Sequence, residues 1–260
     1  MQTIQETDTP EAGITMWWIG QSGFFIKLTN GKIILIDAYL SASVEKSNPL
    51  FRRLIPVPVM PADVICDYYL CTHNHLDHTD PDTIQQLAFK HKMTFIGPRN
   101  SIKSFKQLGV PEKNIRLIEA GDTIEFDEFS LTATFCIPNG DKVLDSIGFV
   151  LKTVEGITIY HTGDTGYHRF LGYIKQYEAD VMMTCINGKY GNMNIKQAFA
   201  LAETINPAIV IPTHFEMFEM NAADPNLFAV LFGNNKHSEC ILPVIGKPIH
   251  FSKLKNYNKK

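Results

Sequence analysis

Residues 15–19, 24–28 and 32–37 are short runs of β-branched and aromatic side chains, the pattern of buried strands. Asn30-Gly31 between the last two predicts a tight hairpin, because both residues tolerate positive φ. Residues 1–12 are polar and read as a loose tail. Residues 38–63 are irregular and carry Pro49, Pro56, Pro58 and Pro61. Four prolines within thirteen residues exclude a regular helix there. A connection this long in a compact domain is usually a lid, a binding loop or disordered, and this one is expected to form a substrate-facing wall.

Alternation then begins. Residues 67–71 form a strand that runs into a histidine-rich loop. Ile84, Leu87 and Ala88 share one face of a helix at 82–90, with Pro81 near its start. A strand at 94–96 and a helix at 99–108, stopped by Gly109, follow. A second β-rich block covers 115–117, 123–126, 129–136, 148–153 and 157–160. Helix 167–176, strand 181–184, helix 195–205, strand 208–212, helix 225–232 and closing strands complete the chain. The order predicts an α/β fold of two similar halves, each with its own sheet and with helices outside. No repeat, low-complexity segment or linker divides residues 1–260, so one domain is expected.

Composition narrows the function. Apolar residues make up 45% and charged residues 20%, typical of a soluble globular chain and unlike a disordered or coiled-coil one. No apolar run reaches the roughly 18 residues of a membrane span. The first thirty residues lack a signal-peptide pattern. A net charge of −3 gives no nucleic-acid footprint; only the end, 252–260, is basic. Cys66, Cys71, Cys136, Cys185 and Cys240 are odd in number and form no Cys-x-x-Cys pair, so they read as reduced thiols and the chain as cytoplasmic.

The chemistry concentrates in Thr72-His73-Asn74-His75-Leu76-Asp77-His78. Alternate residues of an extended segment point the same way, so His73 and His75 can share one metal, leaving Asp77 and His78 for a second. A loop that is merely polar has no packing reason for this spacing, and buried unpaired imidazoles cost energy. Asp164, after the strand at 157–160, can bridge two ions or cap the following helix. His214 ends the strand at 208–212; alone it reads as an ordinary histidine. Three apolar strands ending in His or Asp place one site at the strands' C-terminal ends, where open α/β layers bind ligands.

Other signals are weaker. Gly20-Gln21-Ser22-Gly23-Phe24 departs from the nucleophile-elbow pattern at its last position. Neither a Gly-x-Gly-x-x-Gly nor a Walker sequence is present. Arg52 and Arg53 can fork onto a phosphate or form a solvated pair. Residues 187–192, with Tyr190 and Asn192, form a substrate-holding loop or an ordinary Gly/Asn turn. Trp17 and Trp18 read as core.

His73-x-His75-x-Asp77-His78, Gly163-Asp164 and Pro212-Thr213-His214, in this order, resemble the metallo-β-lactamase-fold hydrolases. Closer likeness is to the L-ascorbate-6-phosphate lactonase branch, through Met16-Trp17-Trp18-Ile19-Gly20-Gln21-Ser22-Gly23, Asn48-Pro49-Leu50, Phe95-Ile96-Gly97-Pro98, residues 160–165 and residues 210–214. The likeness runs from about residue 16 to 232. It implies an αββα sandwich of two mixed β-sheets flanked by helices, with the metal site at one edge. It also implies two divalent ions, Zn or Mn, and a small substrate such as a sugar-phosphate lactone. On this reading His73 and His75 hold one ion, Asp77, His78 and His214 the other, Asp164 bridges them, and Asp77 also orients and deprotonates the nucleophile.

Two departures stand out. The segment at 38–63 is shorter than the branch's. Most superfamily members also carry a further histidine where this chain has Cys136-Ile137-Pro138-Asn139-Gly140-Asp141. His73 and His75 are then completed by Asn139, Asp141, Cys136 or water; alignment with the family selects Asn139. Oxygen in place of imidazole shifts preference toward Mn or Mg. A phosphodiesterase and a non-catalytic metal binder are the competing functions. No nucleic-acid or membrane partner is expected, and homo-oligomerisation is left open.

Overall fold

Side chains of the central strands of the first sheet alternate between two apolar layers. The structure, a computed structural model, describes residues 2–137 and 143–253. Helix α1 (Gln2–Glu6) leads into strands β1 (Gly13–Trp18), β2 (Phe24–Leu28) and β3 (Ile33–Ile36). Helix α2 (Ser43–Ser47) precedes β4 (Tyr68–Leu70), α3 (Pro81–Gln86), β5 (Thr94–Gly97), α4 (Arg99–Gln107) and β6 (Ile115–Leu117). Strands β7 (Thr123–Glu125), β8 (Phe129–Phe135), β9 (Ile147–Thr153), β10 (Thr158–His161) and β11 (Val181–Cys185) follow. Then come α5 (Ile195–Ile205), β12 (Ile209–Thr213), α6 (Pro225–Leu231), β13 (Glu239–Cys240) and β14 (Pro248–Ser252).

The first sheet has the order β14-β1-β2-β3-β4-β5-β6, the second β13-β12-β11-β10-β9-β8-β7. In each, one half is antiparallel and crossovers make the other half parallel: β3 to β6 in the first, β10 to β13 in the second. Two mixed seven-stranded sheets with helices outside match the expected αββα sandwich. Ile14, Met16 and Trp18 of β1 join Phe24, Ile26, Leu131, Phe149 and Ile159 in the core between the sheets. Trp17, pointing the other way, joins Phe25, Leu35, Tyr69 and Phe95 beneath Ile84 and Phe105 of α3 and α4. On the second sheet α5 packs against β11 and α6.

Several local expectations change. Residues 115–117, read with the second β block, are the edge of the first sheet, paired parallel with β5. The last strand leaves the second half and pairs with β1. A three-residue apolar run carries no information about its partner; the α4 crossover sets it. The helix at 82–90 stops at Gln86, and residues 167–176 form a 3-10 helix at Arg169–Tyr177. Residues 2–6, expected to be loose, form a helix because Lys27 Nζ donates to the carbonyls of Ile4, Gln5 and Thr7 at 3.3, 2.7 and 2.9 Å. No helix among the described residues is long and apolar enough to cross a membrane.

Candidate metal centre

β3 and β4 are parallel neighbours, as are β10, β11 and β12, so their C-terminal ends gather on one edge of each sheet. Asp37 follows β3, the histidine-rich loop follows β4, Asp164 follows β10 and His214 follows β12. The loop is tied down at both ends. Thr72 donates its N–H and its Oγ1–H to the two oxygens of Asp37, each at 2.7 Å. Thr79 Oγ1 donates to the His73 carbonyl at 2.7 Å. The N–H groups of His78 and Thr79 both reach the His75 carbonyl, at 3.0 and 2.8 Å, closing a turn that leaves the His78 ring centre 4.0 Å from that of His73. Asp164 is delivered by Gly163 at φ +60, where a Cβ would stand 2.6 Å from the Ile147 carbonyl, so glycine alone fits.

Two groups of donors result: His73, His75 and Asp164, and Asp77, His78 and His214. His214 Nε2 lies 3.2 Å from Asp164 Oδ2 and 3.5 Å from Asp77 Oδ2. His78 Nε2 lies 3.5 Å from Asp164 Oδ1 and 3.7 Å from Asp77 Oδ2. Two ligands at about 2.1 Å from one ion, set at tetrahedral or octahedral angles, stand roughly 3.0–3.4 Å apart. His73 Nε2 is 2.7 Å from His75 Nδ1. His78 Nε2 and Asp164 Oδ1 are buried with no hydrogen-bond partner. Orphaned donor atoms of this kind, in a mixed imidazole–carboxylate set, fit a divalent ion.

The electrostatics agree. Burial disfavours charge on His73, Asp77, His78, Asp164 and His214, yet opposite charges prevail at all of these but His73. Asp164, Asp37 and Asp77 hold His78 well above the ordinary histidine value, and Asp164 with Asp77 lifts His214 to about 9. The two histidines in turn keep Asp77 and Asp164 ionised far below the usual carboxylate range. His73 goes the other way: burial, then the neighbouring His78, lowers it to about 3, leaving a neutral imidazole.

Of the expected site residues, His73, His75, Asp77, His78, Asp164 and His214 meet in one place. Asn139 and Asp141 lie outside the described residues. Cys136 is not in either donor group: its Sγ donates to the Thr162 carbonyl at 3.3 Å, and burial pushes its thiol well up. Tyr190 and Asn192 do line the cleft beside the centre, and Asn192 Nδ2 donates to Asp164 Oδ2 at 2.8 Å. Arg52 and Arg53 do not line it. Arg52 is exposed. Arg53 turns inward, donating from Nε to Ile55 O at 2.6 Å and from Nη1 to Tyr39 O and Ser41 O at 2.8 and 3.4 Å, with its guanidinium 4.9 Å from the Tyr39 ring. Nε and Nη1 are spent on the loop's own carbonyls while Nη2 is buried with no hydrogen-bond partner, and neither arginine lines the cleft, so the pair forms no phosphate clamp there.

The sequence reading overlooked two residues. Asp37, fully buried at φ +43, accepts from His78 Nδ1 at 2.8 Å and so turns Nε2 toward the centre. Its only sequence signal is an acidic residue at the end of an apolar strand. Gln21, at φ +53, reaches from the first sheet: Nε2 donates to Asp77 Oδ2 at 2.6 Å and lies 2.9 Å from His214 Nε2, while its carbonyl accepts the His214 N–H at 3.1 Å.

Residues 15–214 match the family model described as "Beta-lactamase superfamily domain". Among curated proteins, a UPF0173 metal-dependent hydrolase of Thermodesulfovibrio yellowstonii is 31% identical over 223 residues, covering 78% of this chain and 79% of that protein. The "Probable L-ascorbate-6-phosphate lactonase UlaG" of Escherichia fergusonii is 24% identical over 285 residues, covering 90% of this chain and 78% of that one. Among solved structures, an isothiocyanate hydrolase from Delia radicum gut bacteria superposes with a TM-score of 0.76 at 19% identity, covering 92% of this chain and 99% of its own. A metallo hydrolase of Ignicoccus hospitalis gives 0.74 at 22% identity, with 92% and 99% covered. These two likenesses concern the fold.

Proposed function

This chain belongs to the beta-lactamase superfamily and is a metal-dependent hydrolase, and on that premise we propose that it cleaves the acyl C–O bond of a small lactone or ester with two divalent ions, Zn or Mn. The observation that carries this reading is the pair of orphaned atoms, His78 Nε2 and Asp164 Oδ1, facing each other at 3.5 Å between two donor groups. His73, His75 and Asp164 would hold one ion; Asp77, His78 and His214 would hold the other, with Asp164 serving both.

When bound, the ions supply Lewis acidity that brings water from a pKa of roughly 15.7 to about 7. In the overall reaction the water oxygen bonds to the carbonyl carbon, the C–O bond to the leaving oxygen breaks, and the proton given up by water passes to that oxygen. Asp77 stays ionised, accepts the water's hydrogen bond to orient it, and relays the proton. Gln21 fixes the Asp77 carboxylate from one side, and Asp37 fixes the His78 ring from behind. Asn192 does the same for Asp164. The sugar-phosphate lactone suggested by the lactonase relatives' name needs a phosphate reader, and Arg52 and Arg53 do not supply one in the cleft.

The test is elemental analysis of protein purified without added metal, then hydrolysis of lactones, esters and phosphodiesters after loading with Mn or Zn. Two bound ions with lactone or ester turnover support the reading. Turnover of phosphodiesters alone would move it to a phosphodiesterase, and bound metal without any turnover to a binding protein.

A further inference from the structure

The cleft over the centre has a volume of about 260 Å³, small beside the roughly 300–1,000 Å³ of ordinary ligand pockets. Its wall away from the ligating groups is mostly apolar: Val44 and Phe51 come from the proline-rich connection, beside the polar Ser47 and Asn48, Leu76 from the histidine-rich loop, Tyr190 from the loop after β11, and Phe218 from the segment after β12. The aromatic members form a continuous set. Phe51 stands 5.7 Å from Tyr190 and 5.6 Å from Phe218, ring centre to ring centre. Tyr190 is 52% exposed at the mouth while its backbone sits at φ +53, a region that costs a bulky residue energy. Strain held at a cleft mouth between Gly188 and Gly191 marks a side chain placed for use.

Charge is the second half of the observation. No lysine or arginine lines the cleft among the described residues. Lys46 is engaged with Asp82, Lys189 with the Met220 carbonyl and Arg53 with three carbonyls, and Arg52 is exposed outside the cleft lining. The polar lining groups Asn192 and Asn221 are turned toward the centre, donating to Asp164 and approaching His214 at 3.2 Å. The surface left for the non-reacting part of a substrate is therefore mainly aromatic and, among the described residues, uncharged, with the exposed Ser47 and Asn48 at its rim.

We propose that the enzyme takes small lactones or esters whose substituent is uncharged and apolar, an aryl or branched alkyl group seated against Phe51, Tyr190 and Phe218, and that it discriminates against a phosphorylated substituent. This deepens the hydrolase reading and rests on it. A phosphate seated there would lose its hydration without gaining a cation, whereas an aryl ring would exchange water for ring contacts.

The experiment uses the metal-loaded protein and three γ-lactones: unsubstituted, phenyl-substituted and phosphomethyl-substituted. The phenyl lactone should exceed the phosphomethyl lactone about tenfold or more in kcat/KM. In Phe51→Ala and Tyr190→Ala the ratio of kcat/KM between phenyl and unsubstituted lactone should fall by about tenfold, the scale of burying one ring face. Metal content, measured in parallel, reports whether either variant merely misfolds, and Tyr190→Phe should restore the ratio. Preference for the phosphomethyl lactone, or a ratio unmoved in both variants, overturns the inference. Absence of turnover on all three lactones while esters and phosphodiesters are also inert overturns instead the hydrolase reading, and a calorimetric titration with uncleavable phenylacetamide then decides the inference: binding weakened by Tyr190→Ala supports it, and unchanged or absent binding overturns it.

Discussion

Asp37 Oδ2 accepts a hydrogen bond from His78 Nδ1 at 2.8 Å, with both side chains sealed from solvent. The same carboxylate binds the Thr72 N–H and hydroxyl, so one residue at the end of β3 sets both the start of the histidine-rich loop and the orientation of its last imidazole. Replacing it by Asn keeps the shape but removes the charge. We expect Asp37→Asn to weaken metal binding by roughly 10–100-fold, as loss of an outer partner to a ligating histidine does. Chelator competition followed by elemental analysis measures this; unchanged retention would mean His78 needs no orienting partner.

Asp164 stands in reach of both donor groups. Asp164→Ala should strip metal from both positions and abolish hydrolysis. Two ions held as tightly as in the wild type would contradict the shared role.

Gln21 joins Asp77 and His214, which come from different sheets. Gln21→Ala leaves Asp77 without this donor, so kcat should fall by roughly 10-fold or more while KM changes little, the signature of lost orientation. A rise in KM alone would show that Gln21 touches substrate instead.

Arg53 anchors the proline-rich connection to its own carbonyls. Arg53→Ala should cost about 1–3 kcal/mol of stability, because buried acceptors lose a charged donor. Its kinetic effect should be the same on phosphorylated and unphosphorylated substrates. A loss confined to phosphorylated substrates, with an unshifted melting temperature, would restore the phosphate-reading role.

Stability of the metal-free protein should depend on pH with a definite sign. Burial opposes charge on His214, but Asp164 and Asp77 outweigh it and set the folded value at about 9, above the ordinary 6.5. The folded state binds that proton more tightly, so the stabilisation is full below pH 6.5 and disappears as pH rises through about 9. Asp37 works at the acid end. Burial opposes its ionisation, His78 prevails, and its value lies below 3.8, so its contribution is present above that pH and lost on further acidification. Melting temperatures of the metal-free protein should therefore fall between pH 6.5 and 9, and His214→Gln should flatten that fall. Metal, competing with the protons on His78 and His214, should reverse the trend.

The sequence alone determined most of the strands and the ligand types, though not the short helices at Gln2–Glu6 and Ser43–Ser47. Largely apolar runs such as 15–19 and 24–28 can bury both faces only as strands between two apolar layers, and His73-x-His75-x-Asp77-His78 carries its geometry locally, because alternate residues of an extended segment share a side. Tertiary structure decided whatever depends on distant partners. The strand at 115–117 has too few residues to name its sheet; the α4 crossover does that. Arg53 looked free because its acceptors, Tyr39 O and Ser41 O, are backbone atoms that sequence does not mark. Asp37 and Gln21 lack any metal-ligand spacing and reach the centre only because β3 lies beside β4 and the β1–β2 turn meets the end of β12. Contacts closed within one turn are written in the order of residues, whereas those closed between neighbouring strands or between the sheets, 35 and 193 positions apart, exist only once the strands have paired and the sheets have packed.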